Sequence, residues 1–415
     1  VAANTYYVDQ ALGSDSNTGL SQTAGASGPF ATVIKGLSTL VSHATPGDTC
    51  YVKNGTYVGS PSFSSGLLQG TSLAPITLSA FPGHFPIIDG AGAATNGIEL
   101  NANATTSSQK ISWFVLNGFE VRNFEFTAIK FVNADHCTFT NNYCHDNMLG
   151  TAGGNGIYGE GINILIANNR LVDNGASVNP FSHGMYLSGD SYTIVNNLSV
   201  FNLGLGMQCR ATGLRPHSPS AAYANFTNAL IAHNTVAYNQ NGSGMNQWID
   251  SSQFPGGVID NNRIVNNIFY ENSHSAGTAN GIRLFAGTNL LIQNNISFAT
   301  AGALVFTFDT GSVNPVYQNN CPGSPNSNCP TLPAMVNAPA NMPASPDFHL
   351  VAGSSAIGFG LNLSSLGIPS LATDIDGKVR PLIGAWDVGA YQFANVAPPI
   401  LSPPRLPYVS VVGGF

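Results

Sequence analysis

Glu160, His183, Tyr186 and Arg210 place a carboxylate, an imidazole, a phenol and a guanidinium within about fifty residues of one another. Groups of these types can move protons beside a neutralised anion. β-Elimination on a uronic acid asks for a cation to neutralise the carboxylate, a base for the C5 proton and an acid for the leaving oxygen. Arg210 or Arg283 can supply the cation, and His183, Tyr186 or Lys130 the proton transfer. Hydrolysis asks instead for two carboxyl groups about 5–5.5 Å apart for retention or about 6.5–9.5 Å apart for inversion.

Whether such residues meet depends on the repeat that carries them. A phrase of Gly or Ala, an apolar residue, a variable one and usually another apolar one recurs between residues 97 and 310, for example Gly97-Ile98-Glu99-Leu100, Ala128-Ile129-Lys130-Phe131, Gly184-Met185-Tyr186-Leu187 and Gly281-Ile282-Arg283-Leu284. Between its copies stands an apolar pair followed by Asn-Asn or His-Asn, at Asn141-Asn142, Asn168-Asn169, Asn196-Asn197, His233-Asn234, Asn266-Asn267 and Asn294-Asn295. The second Asn returns after 27, 28, 37, 33 and 28 residues. Short alternating strands at that period, with no helical stretch between them, predict one coil of a β-solenoid. Asn suits the bend between strands because it tolerates φ > 0, and stacking then places the amides in a ladder.

Side chains alternate in a strand, so the coils generate two outward columns. The first is Glu99, Lys130, Tyr158, Tyr186, Gln208, Asn246, Arg283 and Val305; the second is Asn101, Val132, Glu160, Ser188, Arg210, Trp248, Phe285 and Thr307. With coils ~4.8 Å apart, the strip is ~40 Å long. Aromatic faces interleaved with cations suit an extended sugar polymer bearing carboxylates, since rings stack on C–H surfaces and guanidinium groups pair with acids. His183 opens the Tyr186 rung, and the longer coil from Ala211 to Thr227 brings Arg215 and His217 as one wall of a groove. Glu99 and Glu160 fall two coils apart, about 9.6 Å, at the upper limit for an inverting pair. A hydrolase is therefore the less natural reading.

The flanks of the repeat carry a resemblance. The opening Tyr6-Tyr7-Val8-Asp9, Gly13-Ser14-Asp15, Pro29-Phe30-Ala31-Thr32, Pro46-Gly47-Asp48-Thr49-Cys50-Tyr51-Val52 and Gly55-Thr56-Tyr57 resembles the start of bacterial secreted right-handed parallel β-helix proteins of the pectate-lyase-like superfamily. The closing Asp374-Ile375-Asp376-Gly377-Lys378-Val379-Arg380-Pro381 and Asp387-Val388-Gly389-Ala390-Tyr391 is similar to their terminal segment. The resemblance implies an all-β, right-handed parallel β-helix in a secreted or cell-surface protein. It selects no reaction, because that superfamily holds lyases, glycoside hydrolases, epimerases, esterases, adhesins and structural proteins. Ser182-His183-Gly184 is only a partial echo of the polygalacturonase pattern, and the clustered aspartates with which many pectate lyases hold calcium are not evident. Calcium is left open as a cofactor.

The expected organisation is an N-terminal strand and helical cap over 1–60, coils over 61–310, a last coil and irregular cap over 311–393 and a Pro-rich tail over 394–415. Residues 30–41 read as an amphipathic helix plugging the first coil. In the tail, Tyr408-Val409-Ser410-Val411-Val412 could add a strand to a neighbouring molecule, so self-association through 397–415 into a filament or surface layer is the non-enzymatic alternative. Charged residues are 8% of the 415 and the net charge is −7, which argues against nucleic acid as partner. No apolar run reaches the ~20 residues of a membrane span. Val1-Ala2-Ala3 shows no basic segment followed by an apolar one, so any signal peptide is expected to be already gone. Of six cysteines, Cys321 and Cys329 flank a loop that a disulfide would close, while Cys50, Cys137 and Cys209 read as buried apolar filler.

Overall fold

The computed structural model describes residues 2–64, 67–92, 94–100, 111–147, 154–175, 182–215, 218, 220–240, 242–250, 255–272, 281–299, 306–321, 333–339 and 343–393. The chain winds through three parallel sheets in turn. One coil, for example, runs through the strands His183–Asp190, Thr193–Val195 and Leu198–Val200 before Met207–Thr212 begins the next. Successive coils stack in register, giving, among the described residues, parallel sheets of 11 and nine strands and a third of 13. The architecture is a parallel β-helix.

The bends explain the asparagines. The first residue of each Asn-Asn or His-Asn pair has positive φ, between 53° and 59° from Asn141 to Asn294. The second is buried and bonds along the axis: Asn142 Nδ2 donates to Asn169 Oδ1 at 3.0 Å, Asn169 to Asn197 at 3.0 Å, Asn197 to Asn234 at 3.0 Å, and so on through Asn267 and Asn295 to Asn320. A second stack, less plain in the sequence, links Asn147, Asn174, Asn202, Asn239 and Asn272 at the next bend. There the left-handed residue is Asp146, Asp173, Phe201, Tyr238 or Glu271, so only the amide that follows is shared between coils. Apolar side chains fill much of the remaining interior, with Met185, Leu187, Ile194, Cys209 and Ile231 fully or almost fully buried.

The helix is Val33–His43, capped by Thr32, whose hydroxyl accepts from the Lys35 N–H at 3.1 Å. Its face of Val33, Leu37 and Leu40 joins the main core beside the first coil. Gly36 lets it approach: a Cβ there would stand 2.8 Å from Cys50 Sγ and 2.9 Å from a Val8 methyl. Cys50, Cys137, Cys144 and Cys209 are buried free thiols. Cys321 is disulfide-bonded; Cys329, the partner expected from sequence, lies outside the described residues, as does the tail 394–415.

Two details of the expected pattern shift. Arg283 faces Thr307, not Val305, because Phe306 rather than Leu304 continues the Ile282 position. Val305 and Asn101 lie outside the described residues, and nothing is described of the Phe285 side chain. Val132 is buried and sits at a bulge between Phe131 and Ala134, where the one-to-one pairing of the second column is interrupted.

The segment following the coils packs along their flank, while Val313 and Val316 on the last described coil stay 51% and 44% exposed. Gly389 N–H reaches Asn266 O at 2.8 Å, Ala390 N–H reaches Thr235 Oγ1 at 3.0 Å and buried Arg380 donates to Asn196 Oδ1 at 2.9 Å. His349 fastens this strap, 2.5 Å from Asp347 and 2.7 Å from Asp376, which in turn meets Arg170 of the coils at 2.7 Å. The hydrogen bonds to Asp347 and then Asp376 raise the His349 pKa to about 9. Because the folded value lies above the unfolded ~6.5, this contribution is complete below that pH and is lost as pH rises through about 9. His349→Gln is therefore expected to be less stable than the unmodified protein at pH 6 and to converge with it by pH 10, read from thermal unfolding across that range.

Candidate functional site

The 13-stranded sheet carries the first outward column as expected. Glu99, Lys130, Tyr158, Tyr186, Gln208, Asn246 and Arg283 pair one coil to the next in unbroken register. In the second column Glu160 pairs with Ser188 and Arg210 with Trp248. The excursion after Thr212 splits the strand, so the counterpart of Asp190 two coils on is Asp260, through Thr227.

A cavity of about 590 Å³ opens on this face, lined by Lys130, Tyr158, His183 and Tyr186 together with Asn96, Thr127, Asn155, Thr95 and Phe126. Asn96, Thr127 and Asn155 were not singled out from the sequence, although a signal was there. Each stands immediately before the Gly or Ala of the repeated phrase, in the place His183 takes one coil later, and they are linked: Thr127 N–H donates to Asn96 Oδ1 at 3.3 Å, Asn155 N–H to Thr127 Oγ1 at 3.3 Å and His183 N–H to Asn155 Oδ1 at 3.2 Å.

His183 has a defined state. Its Nδ1 accepts the Leu205 N–H at 2.9 Å, so the ring proton sits on Nε2. Burial pulls its pKa down to about 3. The ring is thus a neutral donor through Nε2, and of the proton-transfer roles open to it from the sequence the acceptor role is closed because Nδ1 is filled. It stacks on Tyr186 with centroids 5.5 Å apart.

Tyr158 is committed. Its hydroxyl donates to Glu160 Oε1 at 2.6 Å and accepts from Arg215 Nη1 at 3.2 Å, and burial, then the Glu160 charge, holds its pKa well above the ordinary value. Arg215 also forms an ion pair with buried Glu160. Arg215, on the excursion after Thr212, therefore reaches back over the strip, two coils towards the N-terminus. Tyr186 differs: its hydroxyl has no hydrogen-bond partner among the described residues, and burial keeps it protonated by raising its pKa. The Arg210 guanidinium lies over the Tyr186 ring, 4.7 Å from its centroid.

The cations are not free, as the sequence had left them. Lys130 Nζ is 2.7 Å from Glu99, and Arg210 Nη1 is 3.6 Å from Asp250. Glu99, Glu160 and Asp250 are each engaged by a cation, and no group of three His, Cys, Asp or Glu residues that could hold a metal meets among the described residues. Trp248 is 42% exposed beside Arg210, and Arg283 holds the rung after Asn246. His217 lies outside the described residues. No described helix is long and apolar enough to cross a membrane.

No family model and no curated protein sequence matches the chain. Among solved structures, the pectate lyase Pel9A superposes with a TM-score of 0.53 at 17% identity, over 94% of this chain and 97% of that one. A glycoside hydrolase gives 0.50 at 9% identity, over 77% and 96%. A rhamnogalacturonan lyase gives 0.42 at 18% identity, over 77% and 87%. At such identities the likeness is one of architecture, and the chain shares with the pectate lyase its parallel β-helix fold, across nearly the whole of both molecules.

Proposed function

We propose that this chain is a carbohydrate-active protein of the extracellular space that binds an acidic polysaccharide along the 13-stranded sheet and cleaves it by β-elimination in the cavity around Tyr186. The observation that carries the reading is the Tyr186 hydroxyl: it belongs to the lining of a cavity that also holds the His183 Nε2–H donor and, two coils away, the Lys130 ammonium group, and it is protonated and without a hydrogen-bond partner among the described residues. Lys130 and His183 Nε2–H face the uronate carboxylate and the charge that develops on it as the C5 proton leaves. Tyr186 takes that proton on its oxygen while giving its own to the glycosidic oxygen. The C5–H and C4–O bonds break, a C4=C5 double bond forms, and tyrosine ends as it began. In this exchange the phenol never has to exist as the free phenolate, which burial disfavours.

The hydrolase reading is weaker because Glu160 is spent on Arg215 and Tyr158, and Glu99 on Lys130. Incubation with polygalacturonate, alginate and glycosaminoglycans, followed by absorbance of the new unsaturated bond, is expected to show product from at least one of them. Reducing ends appearing without that absorbance would mean hydrolysis. No cleavage of any of the three would turn the assignment towards an adhesive or structural role, with self-association through residues 397–415 as its first test by electron microscopy of the shortened and complete chains.

A further inference from the structure

We infer that Gln208, Arg210 and Arg215 form a second carboxylate site on the strip, next to the cavity, so that the polymer carries more than one uronic acid across the bound segment. The inference rests on the acidic-polysaccharide reading above and adds where a second charge is held. Gln208 faces Tyr186 in register on the adjoining coil, Arg210 covers the Tyr186 ring, and Arg215 bonds to Tyr158 on the coil before. Gln208 Nε2, Arg210 Nε and Arg215 Nη2 are each buried without a hydrogen-bond partner among the described residues, and Gln208 and Arg215 are only 4% and 8% exposed.

All three atoms are donors. A buried donor left unmade is costly, so three beside the neighbouring rings of Tyr158 and Tyr186 are poorly explained as packing. Each guanidinium spends one side on an internal carboxylate that fixes it, Arg210 on Asp250 and Arg215 on Glu160, and keeps another N–H side unused. A planar carboxylate, with two oxygens and about four lone-pair sites, is the common sugar substituent that answers several donors at once. On the following rung Asn246 Oδ1 is an unpartnered acceptor, the complement of a sugar hydroxyl. A neutral polymer would bring hydroxyls, which meet one donor each and leave the charges unanswered.

The test is calorimetric titration with oligogalacturonates and with the same oligomers methyl-esterified, using the unmodified protein, Gln208→Leu and Arg210→Gln. The unmodified protein is expected to bind the acid form at least tenfold more tightly than the ester, and both variants to lose most of that preference. Gln208→Leu is also expected to melt no lower than the unmodified protein, because it removes an unpaired buried donor and keeps the shape. A drop in its melting temperature would assign Gln208 a structural role and overturn the inference. So would a preference for the acid that survives in both variants, while leaving the polysaccharide reading intact. Binding of neither oligomer removes the second site for this polymer, and if cleavage of all acidic polymers is also absent, the reading beneath it falls too.

Discussion

Tyr186→Phe is expected to lower the rate of cleavage about 10²–10⁴-fold, the range that a positioned proton-transfer group contributes, with little change in affinity for the polymer or in thermal stability. The substitution removes one oxygen and keeps the ring. The guanidinium of Arg210, 4.7 Å from the centroid, and the imidazole of His183, 5.5 Å away, keep the surface they pack on. Since the hydroxyl bonds to no described residue, its loss orphans no internal group. A change confined to kcat would therefore report on proton transfer. A variant retaining more than a tenth of the rate would remove Tyr186 from the reaction and leave Lys130 as the remaining proton carrier from the original set. A variant that melts several degrees lower would show instead that the hydroxyl supports the fold.

The second large effect is on stability, in a matched pair of neighbours. Asn169→Ala is expected to cost about 3 kcal/mol or more, whereas Asn168→Gly changes stability by about 1 kcal/mol or less. Asn169 is buried and central to its stack. Its Nδ2 donates to Phe139 O at 2.9 Å and Asn197 Oδ1 at 3.0 Å, and its Oδ1 accepts from the Asn142 N–H and amide, both at 3.0 Å. Alanine leaves at least two of these buried groups unmatched, each worth about 1–3 kcal/mol. Asn168 contributes mainly a φ of 58°, which glycine adopts without strain. Denaturant unfolding of the two variants beside the unmodified chain decides the matter. Equal losses at both positions would mean that the bend conformation, and not the amide stack, is what the Asn-Asn pair provides.

Much of this was legible in the chain itself. The alternation around each Gly or Ala fixes which residues leave the interior, and the register from Glu99 to Arg283 follows from it, because the pleat repeats every two residues and each coil can only stack on its neighbour. The Asn-Asn pairs were equally readable as bends. The sequence pattern lost its hold at Val132, where a bulge interrupts the coil-to-coil register, and near 305, where the apolar rhythm continued two residues later than expected.

What could not be read was the company each site residue keeps. Arg215 stands 55 positions from the carboxylate it meets, Leu205 is 22 from the imidazole it fills, and Arg170 is 206 from Asp376 of the strap. The sequence by itself determined the solenoid and the order of side chains along its face, since strand alternation and backbone bends are local properties. Only the tertiary structure decided that His183 is a neutral donor, that Lys130, Arg210 and Arg215 are held by carboxylates, and that Tyr186 keeps its hydroxyl unspent. Those outcomes depend on burial and on contacts between distant coils, and no local pattern encodes which loop folds back over which rung.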